Sequence, residues 1–219
     1  MDIKVKNIVE FYRAVNKLKD VIRKGWLVCG IDAKRLESIM EHTNSCQYLA
    51  MAIKSQYPEE YKNVNLERVI MMFTVHDMEE AIIPDFTPMD KVTKEQKRKM
   101  GKAAVEKLLA MLGDPKENPI VKMIADLINE YNAGETVDAR FAKQVDSLDS
   151  GLQCKMYDEK GQMDLTTEKG KLVEKFHKVY EKGFSKLSDA WICDHIQWHN
   201  YDTVFTEIAN KVIDQKPST

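Results

Sequence analysis

The sequence predicts an all-α protein. Three observations carry that prediction: apolar residues recur at spacings of three and four along nearly the whole chain, no run alternates in the manner of a β-strand, and helix start and stop signals separate the periodic segments. Residues 3–22 place Ile8, Phe11, Tyr12, Val15, Leu18, Val21 and Ile22 on one apolar face. GWLVCGIDAKR follows as a loop. Residues 37–56 resume the period with Ile39, Cys46, Leu49, Ala50 and Ile53, and Pro58 lies just beyond. Asn65 is placed to N-cap the next helix, although Arg68 cannot complete a capping box. That helix runs through Val69, Met72, Phe73 and His76 and ends near Ile82 and Ile83, because Pro84 disfavours helix in the residue before it. PDFTPMDKV, with its two prolines, is a loop. Thr93 and Gln96 have capping-box spacing and open a helix to about Leu112, stopped by GDP. Helices follow over 119–132, closed by NAG, and over 135–157, with Phe141, Val145, Leu148 and Leu152 on one face. YDEKGQMD is a polar loop, and two or three more helices fill 167–214. The period predicts about eight to ten helices in all.

The bulk properties narrow the function. The 219 residues fit one domain with room for a terminal extension, and 43% hydrophobic residues suffice for a sizeable core. A formal charge of −2 without a strongly basic block argues against a nucleic-acid surface, while a small anionic ligand needs only a local basic group or two. The four cysteines, Cys29, Cys46, Cys154 and Cys193, form no CxxC pair and read as reduced core filler. The start MDIKVKNIVEF lacks a signal peptide's apolar run, and no stretch approaches the ~18 apolar residues of a membrane span. The expectation is a soluble cytoplasmic protein with neither a membrane nor a nucleic-acid partner.

One stretch carries chemistry. VHDMEEA at 75–81 puts a polar cluster directly after the apolar run RVIMMFTV. Such groups are costly to bury without partners. A lone histidine on an apolar helix face, as His42 or His76 is, is more often a core residue than a ligand. The adjacent Asp77 changes the balance, because aspartate is rarely buried unless paired or metal-bound. Residues 76 and 77 stand ~100° apart on a helix, so both can reach one ion lodged between helices. In RFAKQVDSLDSGL, Asp146 or Asp149 is a candidate inward carboxylate, and spacing does not choose between them. His42, His76, Asp77 and one such aspartate suit Mn²⁺, Fe²⁺, Co²⁺ or Zn²⁺ and are too nitrogen-rich for Ca²⁺ or Mg²⁺. His195 and His199 also have a metal-binding spacing in DHIQWHN, but no third ligand is evident.

The order His42, His76-Asp77, Asp146 resembles the HD-domain phosphohydrolases, and its flanks resemble their 5′-deoxynucleotidase branch. ESIMEHT (37–43) is similar to that branch's E-x-V-x-E/D-H segment, with Ile39 in place of valine. HDMEEAIIPDFTP (76–88) is similar to its HD-x-x-E-x-x-x-x-D-x-x-P stretch, and AKQVD (142–146) to its V-K-Q-x-D segment, which selects Asp146. RKGW (23–26) resembles a variant of its Arg-Trp element. The resemblance covers residues 1 to about 157. It implies an HD-domain helical bundle around a metal site over 1–157, with 158–219 as a C-terminal helical extension packed on the same domain. It further implies hydrolysis of deoxynucleoside 5′-monophosphates to nucleoside and phosphate, and a homodimer. His42, His76, Asp77 and Asp146 would hold the metal. Glu80 would orient water or transfer a proton, with its place four residues after His76 putting it on the same helix face. Arg23 would bind phosphate, Trp26 would lie against sugar or base, Asp85 would accept from the sugar 3′-hydroxyl, and Glu41 would support the ligands from behind.

The chain departs from the branch where Lys24 and Gly25 separate Arg23 from Trp26, in the longer connection from Trp26 to His42, in Glu79 beside Glu80, and in Pro84 before Asp85. These bear on substrate choice. No histidine lies between Asp77 and Asp146, where HD enzymes with two or three metals carry extra ones, so a single divalent transition metal is expected. Two other readings stay open: hydrolysis of nucleoside triphosphates or another phosphorylated metabolite, with Lys24, Arg35 and Lys91 as extra phosphate contacts, and a module that binds a nucleotide without turnover. Glu79 as a solvated charge, Trp26 as core packing and Asp85 as a turn residue are the plainer alternatives at those positions.

Overall fold

The computed structural model describes residues 2–32, 34–87, 90–163, 183–184 and 186–214. Among these residues there are nine α-helices and no strand beyond one antiparallel bridge between Ile22 and Ser38, so the all-α expectation holds. The helices are α1 (Ile3–Val15), α2 (Lys24–Val28), α3 (Ile39–Gln56), α4 (Leu66–Val75), α5 (Lys94–Leu109), α6 (Pro119–Ala133), α7 (Val137–Glu159), α8 (Leu187–Trp198) and α9 (Thr203–Val212). Two 3-10 turns, Asn16–Lys19 and Met78–Ala81, interrupt segments that the period reads as continuous helix. Four of the five residues of α2, 25–28, fall in the segment expected to be loop; so short a helix, with Gly25 inside it, carries no readable period. The helix of 135–157 extends to Glu159, into the segment expected to be polar loop. Residues 164–182, where part of the C-terminal helical expectation falls, lie outside the described residues.

The chain forms two compact units, one of residues 1–24 and 37–142 and the other of 25–36 and 143–219. In the first, α3 packs on α4 and α4 on α6, burying Ile39, Cys46, Val69, Met72, Phe73 and Val121. Local chemistry sets each start. Ser38 caps α3 through a complete capping box with Glu41, whose side chain accepts from the Ser38 backbone N–H at 2.9 Å. Asn65 caps α4 by accepting from the Arg68 N–H, and Thr93 with Gln96 forms the expected box at α5. Pro119 opens α6, and Gly134, at φ 67°, ends it in the left-handed region that glycine enters without strain. Backbone bonds from Arg23 N–H to Glu37 (3.1 Å) and from Ile39 N–H to Val21 (2.8 Å) tie the segment before α2 to the start of α3. α5 packs against the Met78–Ala81 turn.

The second unit has its own core: Trp26, Cys29 and Ile31 meet Cys154, Tyr157, Phe184, Leu187 and Ala190. α8 packs on α9. Lys155, buried, pairs with Asp189 at 3.0 Å and with Asp214 at 2.7 Å. α7 begins in the first unit and continues in the second.

Candidate metal centre

His42 sits one turn into α3, and His76 follows the last residue of α4, with Asp77 next. Both imidazoles are buried, with ring centroids 5.7 Å apart. Nε2 of His76 lies 3.2 Å from Oδ2 of Asp77, and Nε2 of His42 lies 3.9 Å from the same oxygen. The backbone produces this convergence by leaving the α-helix: Asp77 adopts φ −112°, ψ 16°, and the chain tightens into the 3-10 turn. The edge-on rings of Phe73 (5.6 Å) and Tyr131 (4.9 Å) hold the His76 ring.

The hydrogen bonds fix the protons. Nδ1 of His76 is 3.1 Å from the Phe73 carbonyl, which can only accept, so the proton of a neutral ring sits on Nδ1. Its Nε2 lone pair then faces the Asp77 carboxylate oxygen. Two electron-rich atoms at that separation are stable only with positive charge between or upon them, a proton or a metal ion. A ring nitrogen presented bare while the other donates to a carbonyl is also how metal-binding histidines are held. The donor set therefore fits a metal. His42 differs: Nδ1 lies 3.1 Å from Nη1 of Arg23, which can only donate. Nδ1 of His42 is thus an acceptor, and its proton sits on Nε2. Arg23 also pairs with Glu37 at 3.2 Å. Cys46, four residues after His42 and fully buried, places its sulfur 3.6 Å from Nδ1.

Glu80 is buried, but the i+4 argument for its orientation gives way, because it lies in a 3-10 turn rather than on the α4 helix. Burial, with the charges of Asp77 and Asp85, pushes its carboxyl well above the usual carboxylate range. Glu79 is not a solvated charge. Burial and Asp77 push it up to about 7. Gly101 of α5 stands over it, with a Cβ position 3.7 Å from its side chain. Neither Oε2 of Glu79 nor Oε2 of Glu80 has a hydrogen-bond partner among the described residues.

The remaining expected residues take these places. Asp85 accepts from the Lys24 backbone N–H at 2.9 Å, while the Lys24 ammonium pairs with Asp90. Glu41 serves the α3 capping box. Trp26 belongs to the second unit, 1% exposed, its ring 5.4 Å from Tyr157 and 5.5 Å from Trp191. Asp146 is half-buried on the second-unit part of α7, and Asp149 is buried one turn on. His195 and His199 have ring centroids 4.9 Å apart, and Nδ1 of His195 is taken by the Ser147 carbonyl at 3.0 Å. Sequence reasoning missed Glu37, Cys46 and Tyr131. Two of these carried a signal: Glu37 heads the ESIMEHT segment, and Cys46 stands four residues after His42.

Comparison with known proteins gives the family. The HD domain model matches residues 15–188. The chain is 33% identical over 154 residues to the 5′-deoxynucleotidase HDDC2 of Xenopus laevis, covering 70% of this chain and 71% of that one. It is 32% identical over 172 residues to the 5′-deoxynucleotidase hdd1 of Schizosaccharomyces pombe, covering 77% and 83%. A crystal structure described as a predicted metal-dependent phosphohydrolase from Magnetospirillum magnetotacticum superposes with a TM-score of 0.65 at 21% identity, over 97% of this chain and 95% of that one. The fold is thus the one this neighbour adopts, and the chain belongs to the HD-domain family, in the branch that holds these 5′-deoxynucleotidases.

Proposed function

We propose that this chain is a metal-dependent phosphohydrolase that converts deoxynucleoside 5′-monophosphates to nucleoside and phosphate. The observation that carries the reading is the His76 lone pair turned on Asp77, with His42 closing on the same oxygen. The names of the related 5′-deoxynucleotidases support the substrate class. His42, His76, Asp77 and Asp146 would hold one divalent transition ion, Mn²⁺, Fe²⁺, Co²⁺ or Zn²⁺, which suits imidazole mixed with carboxylate. Support for Asp146 is its motif and its place four residues after the buried Ala142, on one face of α7. Such an ion, when bound, acidifies a water and polarises the phosphoryl group.

The chain's own groups do the rest. Arg23 offsets charge on the phosphoryl oxygens. Glu80, whose carboxyl is pushed up by burial and by the charges of Asp77 and Asp85, would give its proton to the leaving 5′-oxygen. Asp85 retains acceptor capacity beyond its bond to Lys24 and meets the 3′-hydroxyl. Trp26 would lie against sugar or base by its place in the RKGW segment. Glu41 supports His42 by fixing the first turn of α3. Lys24, one of the three residues considered for a longer phosphate chain, pairs with Asp90. A homodimer belongs to the same reading and rests on the family resemblance; a cytoplasmic location is supported by the free cysteines Cys29, Cys46, Cys154 and Cys193. Among the described residues no helix is long and apolar enough to cross a membrane.

The test is phosphate release from deoxy- and ribonucleoside mono- and triphosphates, using chelated protein resupplied with Mn²⁺, Co²⁺, Zn²⁺ or Mg²⁺. Turnover of deoxynucleoside monophosphates, lost in Asp77→Ala, is expected. Release from triphosphates alone overturns the substrate assignment. Bound metal without release from any ester leaves a nucleotide-binding module.

A further inference from the structure

Three side chains of α7, Gln144, Ser147 and Ser150, recur at a spacing of three and so lie along one ridge of the helix. Each is gripped by a polar group from the α8–α9 region of the same unit. Gln144 accepts from the Asp202 backbone N–H at 2.6 Å and donates to the Asp202 carboxylate at 3.4 Å. Ser147 is held twice: Tyr201 donates its hydroxyl to Ser147 Oγ at 2.9 Å, and His195 Nδ1 lies 3.0 Å from both Oγ and the carbonyl of Ser147. Because that carbonyl only accepts, Nδ1 of a neutral His195 is the donor. Ser150 accepts from Trp191 Nε1 at 3.2 Å. Apolar contacts tolerate rotation and sliding of a helix. A row of directional bonds does not, since each has a narrow range of distance and angle.

We infer that this polar seam is a positioning device that locks the rotation and axial register of α7 where Asp146 stands, between seam residues Gln144 and Ser147. The inference rests on the reading of Asp146 as a metal ligand. Loosening the groups that orient a ligand typically weakens metal affinity about 10- to 100-fold. His195, Tyr201 and Asp202 are therefore positioning residues, acting through α7 on the metal without touching it. This gives the C-terminal helices a function beyond covering the core. It also gives His195 of DHIQWHN a structural partner in Ser147.

The experiment is titration of chelated full-length protein with Mn²⁺, followed by the free-ion magnetic resonance signal, with a thermal melt of each variant. Tyr201→Phe removes one hydroxyl and fills the same space. His195→Ala removes the double donor, and His195→Asn returns a donor near Nδ1. Asn210→Ala, on α9 with its side chain on the Thr206 carbonyl, is the control outside the seam. Tyr201→Phe and His195→Ala are expected to raise the Mn²⁺ dissociation constant about ten-fold, with His195→Asn recovering most of the loss and Asn210→Ala unchanged. Asp146→Ala separates the two claims. If it loses tight binding while the seam variants keep the parent's affinity, whatever their melting temperatures, the seam inference is overturned and the metal reading stands. If Asp146→Ala itself binds like the parent, the ligand reading fails and takes the inference with it.

Discussion

At the scale of single residues, the site is set up by which atoms hold protons. Arg23 donates to Nδ1 of His42. An ion held by Nε2 requires the opposite tautomer, with the proton on Nδ1, where Arg23 can no longer donate. On the proposed reading, that exchange would leave Arg23 its pair with Glu37 and turn its other donors to the phosphate. Arg23→Ala removes both a competing contact and a nearby cation, so it is expected to bind Mn²⁺ more tightly than the parent. It also loses a charge-assisted bond worth ~1.5–3 kcal/mol, or about 10- to 100-fold in kcat/KM for the nucleotide. Titration and steady-state kinetics read the two effects separately, and weaker metal binding would count against the exchange. The glutamates make a second case. Glu79 has a folded-state pKa of about 7 against an ordinary 4.5. Below pH 4.5 it is protonated in both states. As the pH climbs toward 7 the unfolded chain releases the proton freely and the folded chain does not, so stability of the chelated protein falls across that window. Urea midpoints at pH 5 and 7.5 should show this slope in the parent and less of it in Glu79→Gln. Identical slopes refute it. Glu80→Gln, which cannot supply the proton, should lower kcat about 10²- to 10⁴-fold while metal affinity is retained.

Elements decide how accurately those residues are held. α3 carries His42 in its first turn, so the Ser38–Glu41 capping box governs how well His42 is fixed. Ser38→Ala should cost ~1 kcal/mol in urea unfolding and loosen metal binding, because the first turn frays. A full-strength site in a destabilised protein would separate the cap from the centre. The same element shows what the sequence reveals. Periodicity located α3, α4, α6 and α7, and capping chemistry located the starts of α4 and α5, because both signals are local. His42, His76 and Asp77 were legible because their order and flanks are linear. The tight turn after His76 was not. A 3-10 turn has no period distinct from the last turn of an α-helix, and Pro84 is too far along to mark it. Nor were the pairing of Glu37 with Arg23 and the packing of Tyr131 on His76, whose partners lie 14 or more residues away. The environment of Glu79 was invisible too, since its shielding comes from Gly101 on another helix.

At the scale of the whole molecule, the path of the chain argues against reading residues after 157 as an appendage. The chain enters the second unit at Gly25, returns to the first at Glu37, and leaves it again after Ala142. The core of the second unit draws Trp26, Cys29 and Ile31 from the early passage, Cys154 and Tyr157 from α7, and Phe184, Leu187 and Ala190 from beyond. Ending the chain at Tyr157 removes Phe184 and Leu187 from around Trp26, and each large core side chain lost costs ~2–5 kcal/mol. Of the three tryptophans only Trp26 survives that truncation, so its fluorescence reports on this core alone. The 1–157 fragment is expected to emit at the red-shifted wavelength of an exposed indole and to show no cooperative melt by that signal. Full-length Leu187→Ala should keep a cooperative melt at lower temperature. A 1–157 fragment with buried emission and a sharp transition would show instead that the early passage and α7 make a sufficient core. The C-terminal helices would then be needed for the register of α7 rather than for folding.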